Sequence, residues 1–239
     1  MDGAKKYPLD KYKWYHKIQV DENTYTPSTR KNNVNPHTIK HFDNIDFNGK
    51  KVLDIGCRDG FYCFEAEKRG AKEILGIDTC LSLGAVDFLI PHFKSKVKME
   101  EKSIYDIDGE FDVIIFAGVL YHLKYPFLAL KKISESIVDG GHLIIETAIW
   151  QNKEEKSLLW CPKVEEAPNG PTSLTFFNYK GLKDNLELFG FDFKESNWIP
   201  SKVDTGDIGR TTITCVKNKN LDKNLDKYWD GQPHKNWQL

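Results

Sequence analysis

The run "KVLDIGCRDGFYCFEAEKRGA", Lys51 to Ala71, places a carboxylate, Asp54, beside two glycines, Gly56 and Gly60. Val52, Leu53 and Ile55 read as a strand, and a helical pattern starts near Gly60. The glycines let the backbone approach a ligand where any Cβ would intrude. The start of the helix offers unpaired N–H groups to a carboxylate or phosphate. Asp54 has the chemistry to accept from an ammonium group or to hold the turn's own amides. Cys57 lies inside the turn and is expected to pack there. The spacing D-x-G-x-x-x-G lacks the third glycine of a dinucleotide fingerprint and the Lys-Ser/Thr pair of a P-loop. The following run "EILGID" ends in Asp78, about 20 residues on, where a carboxylate can take both hydroxyls of a ribose. Together the turn and the second acid point to a nucleoside ligand. A tight turn with a strand-end aspartate is the alternative.

A second run, "FDVIIFAGVLYHLKYPFLAL" from Phe111 to Leu130, carries Tyr121 and His122 where the chain leaves a strand. Ala117 and Gly118 end that strand with small side chains and leave room above the sheet. A histidine on the crevice side can remove a proton from an acceptor hydroxyl, because its pKa lies near working pH. A core or capping role for His122 stays open at this point. His37 and His41 stand at i, i+4 but lack a third ligand nearby, so a solvated helix face is expected and no metal.

These residues need a frame. The chain has 239 residues, 40% hydrophobic and 29% charged, with formal net charge -1. That is enough for one sizeable α/β domain with a small appendage, and it supplies no global basic field for a polyanion. No apolar run approaches a membrane span, and the first residues lack the apolar core of a signal peptide, so a cytoplasmic location and no membrane partner are expected. The five cysteines are odd in number and scattered, which reads as reduced thiols. Short apolar runs at 51–56, 73–78, 97–100, 111–118 and 142–149 alternate with helical patterns at 60–69, 82–93 and 126–138. This alternation predicts parallel βαβ units in a doubly wound α/β sheet. After a loop-rich stretch at 151–178, a helix ending at Gly190 leads to two strands, around 191–197 and 210–216. No helix separates them, so an antiparallel pair is expected. The domain plan is an arm or lid at 1–35, preceding a lead-in helix near His37–Phe47, a main domain at 36–217, and a polar tail at 218–239 that Trp229 and Trp237 could dock.

The motif "VLDIGCRDG", with the acid ending the next strand, resembles class I S-adenosylmethionine-dependent methyltransferases. That resemblance implies a Rossmann-like, mostly parallel seven-stranded sheet and S-adenosylmethionine as cofactor. It assigns the methionine moiety to Gly56 and Gly60 and ribose to Asp78. The adenine position, an Asp in that family, corresponds here to Ser103 in "KSIYD", with the Ile104 amide as an alternative. Asp54, Cys57 and Ala117 complete the expected cofactor contacts.

Four further segments narrow the likeness: "WYHKIQV" followed by a "TP" turn, "GCRDGFYCFEAEKRGA", "GVLYHLKYP" and "HLIIETAIW". From about Trp14 to Val216 the chain is similar to the tRNA wobble-uridine (5-oxyacetate pathway) methyltransferase-like family. In its tRNA-modifying members a carboxymethyl group is transferred from carboxylated S-adenosylmethionine. Tyr121 and Arg210 match the Tyr and late Arg that help hold the extra carboxylate there. The basic N-terminal extension of those enzymes is mostly missing, and "TFFNYKGL" replaces their aromatic-Pro-Asn segment. Shorter relatives often methylate small molecules. The expectation is therefore ordinary S-adenosylmethionine, ahead of its carboxylated form, and methyl transfer to an oxygen of a small polar acceptor such as a sugar or polysaccharide precursor. Nitrogen is the less favoured target. Catalytic candidates are His122, Tyr121 and His16, and the acceptor pocket draws on Tyr15, Glu146, Trp150 and Arg210. Tyr15 and His16 serve either as a lid or as part of an arm packed on the sheet. Two alternatives are carried. A tRNA wobble-uridine (carboxy)methyltransferase would gather cations such as Arg30, Lys31, Lys180, Lys183 and Lys202 around the crevice. A non-catalytic nucleoside-binding module would keep the fold without the chemistry.

Overall fold

The computed structural model describes residues 7–28, 35–168, 170–199 and 207–221. Arg30, Lys31, Lys202, Trp229 and Trp237, and with them most of the tail, lie outside the described residues. Strand β1 (Lys51–Ile55) is buried on both faces from Val52 onward, as a central strand of a parallel sheet must be. The described strands continue with β2 (Glu73–Asp78), β3 (Lys98–Glu101), β4 (Phe111–Ala117) and β5 (Ile137–Trp150). A two-stranded pair follows, β6 (Leu159–Trp160) and β7 (Phe176–Phe177), then β8 (Phe191–Ile199) and β9 (Ile208–Lys217). The main sheet has the order β3-β2-β1-β4-β5-β9-β8. The first five strands pair in parallel, and β9 pairs antiparallel with both β5 and β8. The doubly wound seven-stranded sheet and the closing antiparallel pair are thus as expected.

Helices α4 (Pro126–Glu135) and α5 (Tyr179–Leu188) cover one face through Leu130, Ile133, Leu182 and Leu186. Pro126 occupies the first turn of α4, where its missing N–H costs nothing. Asn178 caps α5 by accepting from the Gly181 amide, and Gly190 follows the helix at φ 77°. The other face holds α1 (Asn35–Phe42), α2 (Phe61–Lys68) and the N-terminal arm, with Phe42, Cys63, Ala66 and Trp14 in one apolar cluster. Among its described residues the arm makes a short 3₁₀ turn at Leu9–Lys11 and two isolated bridges, yet Leu9, Trp14, Ile18 and Val20 are buried.

Four expectations change, the first being the lead-in helix, which ends at Phe42 rather than Phe47. The pattern at 82–93 forms a π turn, Ala85–Leu89, and then a single helical turn, α3 (Ile90–Phe93). Pro91 has no amide to return to Asp87, so a regular helix cannot run through. The helix expected to reach Val138 stops at Glu135, because Ile137 already pairs with Phe111 and opens β5. His41 is buried rather than solvated: its Nδ1 bonds the Thr214 hydroxyl at 2.7 Å and its Nε2 the Asn197 side-chain Oδ1 at 2.9 Å, which seats α1 on β9 and β8. Among the described residues no helix is long and apolar enough to cross a membrane.

Candidate active site

Strand β1 lies between β2 and β4, so the chain departs to opposite sides from neighbouring strand ends, and ligands of open α/β sheets bind at such a point. A cleft of about 720 Å³ opens there. Gly56 forms its floor. The residue has φ 77°, donates to the Ile77 carbonyl at 2.8 Å, and a Cβ on it would stand 2.2 Å from Val119 Cγ2. The first turn therefore requires glycine twice over, for its left-handed backbone and for the approach of the β4 exit loop.

Asp78 reaches the cleft at the end of β2. Its Oδ2 accepts from the Arg58 amide at 3.0 Å and its Oδ1 from the Cys80 amide at 2.8 Å. Each oxygen keeps a lone pair for a ligand. Ser103 and Ile104 line the same end, and Ser103 Oγ accepts from the Tyr105 amide at 3.2 Å while its O–H stays a donor. Ala117 and Gly118 form a low wall beside them. Tyr15, His16, His122, Thr172 and Glu146 line the cleft as well. His122 Nδ1 donates to the Thr172 carbonyl at 2.7 Å, and burial lowers its pKa, with Arg210 adding to the effect.

Six residues expected at the site stand behind its wall instead. Asp54 is 1% exposed beneath the turn, where the Cys63 thiol donates to it at 3.3 Å, and burial pushes its carboxyl up to about 7. It meets no solvent-side ammonium. Cys57 packs under Gly76, and Gly60 shapes the entry to α2 at φ 77° with Phe64 and Met99 against it. Tyr121 stacks on Phe176, and Trp150 lies against Trp160 in the same small apolar cluster with Ala148 and Ile208. Arg210, on β9, donates through Nε to Glu146 Oε1 at 2.7 Å and through Nη2 to Oε2 at 2.9 Å, with its guanidinium 5.0 Å from the centre of the Tyr121 ring. Only the Glu146 end of that group reaches the cleft.

The sequence reading passed over Asp59. It is fully buried, one residue before Gly60, and its Oδ2 accepts from the backbone amides of Tyr15 and His16 at 2.7 and 2.9 Å. Its Oδ1 meets His16 Nδ1. An acidic residue in a Gly-bracketed turn just ahead of a helix start is a cap or an anchor, and that was the available signal. Arg58, Lys102, Tyr105 and Thr172, also unnoticed, line the cleft.

Comparison with known proteins bears on what such a cleft serves. Residues 30–196 match the family model described as "Methyltransferase domain". A "tRNA U34 carboxymethyltransferase" of Helicobacter hepaticus is 34% identical over 199 residues, 71% of this chain and 61% of its own. One of the same name from Nautilia profundicola is 31% identical over 213 residues, 82% of this chain and 65% of its own. The chain thus spans less than two thirds of these curated relatives. Among solved structures, the 1,6-didemethyltoxoflavin-N1-methyltransferase of Burkholderia thailandensis, with S-adenosylhomocysteine bound, superposes at TM-score 0.59 and 17% identity, covering 77% of this chain and 78% of that one. The N-terminal domain of EvdMO1, in the presence of S-adenosylhomocysteine and D-fucose, does so at 0.64 and 15%, covering 86% and 91%. Those likenesses speak for the fold, and with the family match and the β1–β4 cleft they establish that the chain belongs to the methyltransferase-domain family, with the Rossmann-like sheet of S-adenosylmethionine-dependent class I enzymes.

Proposed function

We propose that the chain is an S-adenosylmethionine-dependent enzyme that alkylates a nucleoside, with the wobble-uridine carboxymethyl transfer named for its relatives placed ahead of methylation of a sugar. The observation that carries the cofactor assignment is the cleft at the ends of β1, β2 and β4. Its size suits a nucleoside-sized ligand, Asp78 offers two lone pairs toward it, and Ser103 offers a hydroxyl at the same end. Ala117 and Gly118 leave the centre free of bulky side chains. In this reading Asp78 takes the ribose hydroxyls, Ser103 and Ile104 face the base, and the reacting carbon lies toward Gly118 and Glu146. When bound, the sulfonium cofactor supplies an electrophilic carbon. The protein supplies alignment, exclusion of water and a place for the acceptor's proton.

The acceptor assignment rests on the relatives and on Glu146 at the cleft, which is joined behind the wall to Arg210 and through it to Tyr121. Tyr121 and Arg210 are the two residues the resemblance assigns to an added carboxylate. A small polar acceptor is the second reading, and the charges of the described residues support it. Lys180 pairs with Asp184, Lys183 lies over Phe193, and the rim cations Arg58 and Lys102 are engaged by Cys80 O and Asp108. The test is in two steps. Calorimetry with S-adenosylhomocysteine should show one site per chain. Labelled S-adenosylmethionine and carboxy-S-adenosylmethionine are then offered in parallel to bulk tRNA lacking the wobble modification and to a panel of sugars. Label in tRNA, strongest from the carboxylated donor, is the expected outcome, and label confined to sugars reverses the order of the two readings.

A further inference from the structure

The arm does more than pack. Residues 14–28 bring a single imidazole to the cleft and hold it from behind with a carboxylate of the cofactor turn. Asp59 accepts three N–H groups, two from the backbone at Tyr15 and His16 and one from the His16 ring, and it is fully buried. A buried carboxylate is tolerated when its lone pairs are taken in this way. Its place just ahead of α2 adds the favourable field of a helix start. The ring itself is clamped. His16 stacks on Phe61 with centroids 5.4 Å apart at 30°, Tyr62 and Tyr15 meet its edges, and the Thr26 hydroxyl donates to the His16 carbonyl at 2.6 Å. His16 is 5% exposed and still lines the cleft.

Because a carboxylate only accepts, the proton between the two side chains belongs to Nδ1, and Nε2 keeps its lone pair on a residue that lines the cleft. His122 differs. Its Nδ1 donates to a neutral carbonyl, and burial together with Arg210 opposes a positive charge on it. Of the two imidazoles that line the cleft, only His16 has an anion behind it to stabilise the charge it would gain.

We infer that His16 is the proton-accepting catalytic residue of this site, with Asp59 as the positioning residue that fixes its tautomer and ties it to the cofactor turn. This rests on the alkyl-transfer reading above and applies to an acceptor bearing an O–H or N–H. As the acceptor atom forms its bond to carbon, the carbon–sulfur bond breaks with its electron pair returning to sulfur. The acceptor's proton passes to His16 Nε2, and the imidazolium formed is paired with Asp59. The arrangement couples the two halves of the reaction, since one buried carboxylate belongs to the cofactor turn and holds the base.

Nitrogen-15 spectra of the whole chain with S-adenosylhomocysteine present read the His16 ring directly. The expected pattern is a proton on Nδ1 and a bare Nε2. In Asp59→Asn the new amide can donate to Nδ1, so the proton moves to Nε2, the wrong tautomer for a base. A wild-type ring protonated on Nε2, as neutral tautomer or cation, overturns the proposal. With the acceptor that the wild-type chain labels, His16→Gln should lose about 100-fold or more in transfer rate while S-adenosylhomocysteine affinity stays within roughly three-fold. Unaltered transfer by His16→Gln overturns it as well. Failure of the wild-type chain to bind S-adenosylhomocysteine would instead remove the cofactor reading, which the ring spectra of the free protein distinguish.

Discussion

Burial holds the Asp54 carboxyl in its neutral form up to about 7, against a usual value of 3.8, beneath the first turn. Between those two values the folded chain keeps a proton that the unfolded chain releases, so stability falls as pH rises from about 4 to 7. The benefit is fully present below the ordinary carboxyl pKa and is lost through the folded one. Asp54→Asn keeps the shape and removes the titration. Its melting temperature should match the wild type near pH 4.5 and exceed it at pH 8, and a constant offset across that range would refute the assignment. Asp78 behaves oppositely in role, since it faces the cleft with two amides behind it. Asp78→Asn loses one accepting oxygen and the charge, so S-adenosylhomocysteine should bind at least ten-fold more weakly, in line with about 1.5–3 kcal/mol for a charged hydrogen bond. Unchanged affinity by calorimetry would move the ribose elsewhere. Asp78 was legible in the sequence because a strand-end acid after a glycine turn is a local pattern. Asp59 was not, because what gives it a role lies 43 residues away at His16, a distance no local pattern spans.

Elements meet at two points where single residues decide the fit. Gly56 joins β1 to α2 with φ 77°, and the β4 exit presses Val119 to 2.2 Å from where its Cβ would be. Gly56→Ala should therefore cost about 1–2 kcal/mol for the left-handed backbone and a further ~1–3 kcal/mol for overpacking. Val119→Ala in the same chain should recover only the second part, as denaturant titration would measure. Glu146 on β5 and Arg210 on β9 are diagonal neighbours across the antiparallel pair, where Glu146 faces Thr212 and Ala148 faces Arg210. Their bond leaves a carboxylate that is 1% exposed dependent on one partner. Arg210→Met should destabilise by roughly 3–5 kcal/mol, and adding Glu146→Gln should restore most of it, because the cost is an uncompensated buried charge. Equal instability of the single and double variants would show that packing rather than charge was lost. The parallel strands were readable as apolar runs, and the start of β5 was not. Its glycines, Gly140 and Gly141, and the register shift opposite Phe111 hide strand behind a turn signature. Arg210 and Glu146 could be named from the sequence but not joined, since pairing across β5 and β9 is a matter of register.

At the scale of the molecule, the sheet separates two apolar layers, and the arm belongs to one of them. Trp14 is 1% exposed, its indole donates to the Leu9 carbonyl at 2.9 Å, and its ring sits where a Cβ on Gly84 would come within 2.6 Å. Ile18 and Thr26 close the arm on itself, amide to hydroxyl at 2.8 Å and amide to carbonyl at 2.9 Å. Composition alone made this stretch look peripheral, because its few apolar residues are spread among lysines and asparagines without a period. Its burial follows from what it covers, the open face beside α2 and the Ala85–Leu89 turn, and not from any structure of its own. An arm that carries core residues and also presents His16 to the cleft cannot leave without opening the fold. Two outcomes follow from that coupling. Trp14→Ala should destabilise the whole chain by about 3–5 kcal/mol, the cost of a large aromatic removed from a core. In hydrogen exchange, the amides of His16, Ile18 and Thr26 should open with the sheet and not before it. Fast exchange at those three amides, with β1 and β4 still protected, would make the arm a separately moving lid and would detach the proposed base, His16, from the frame that positions it.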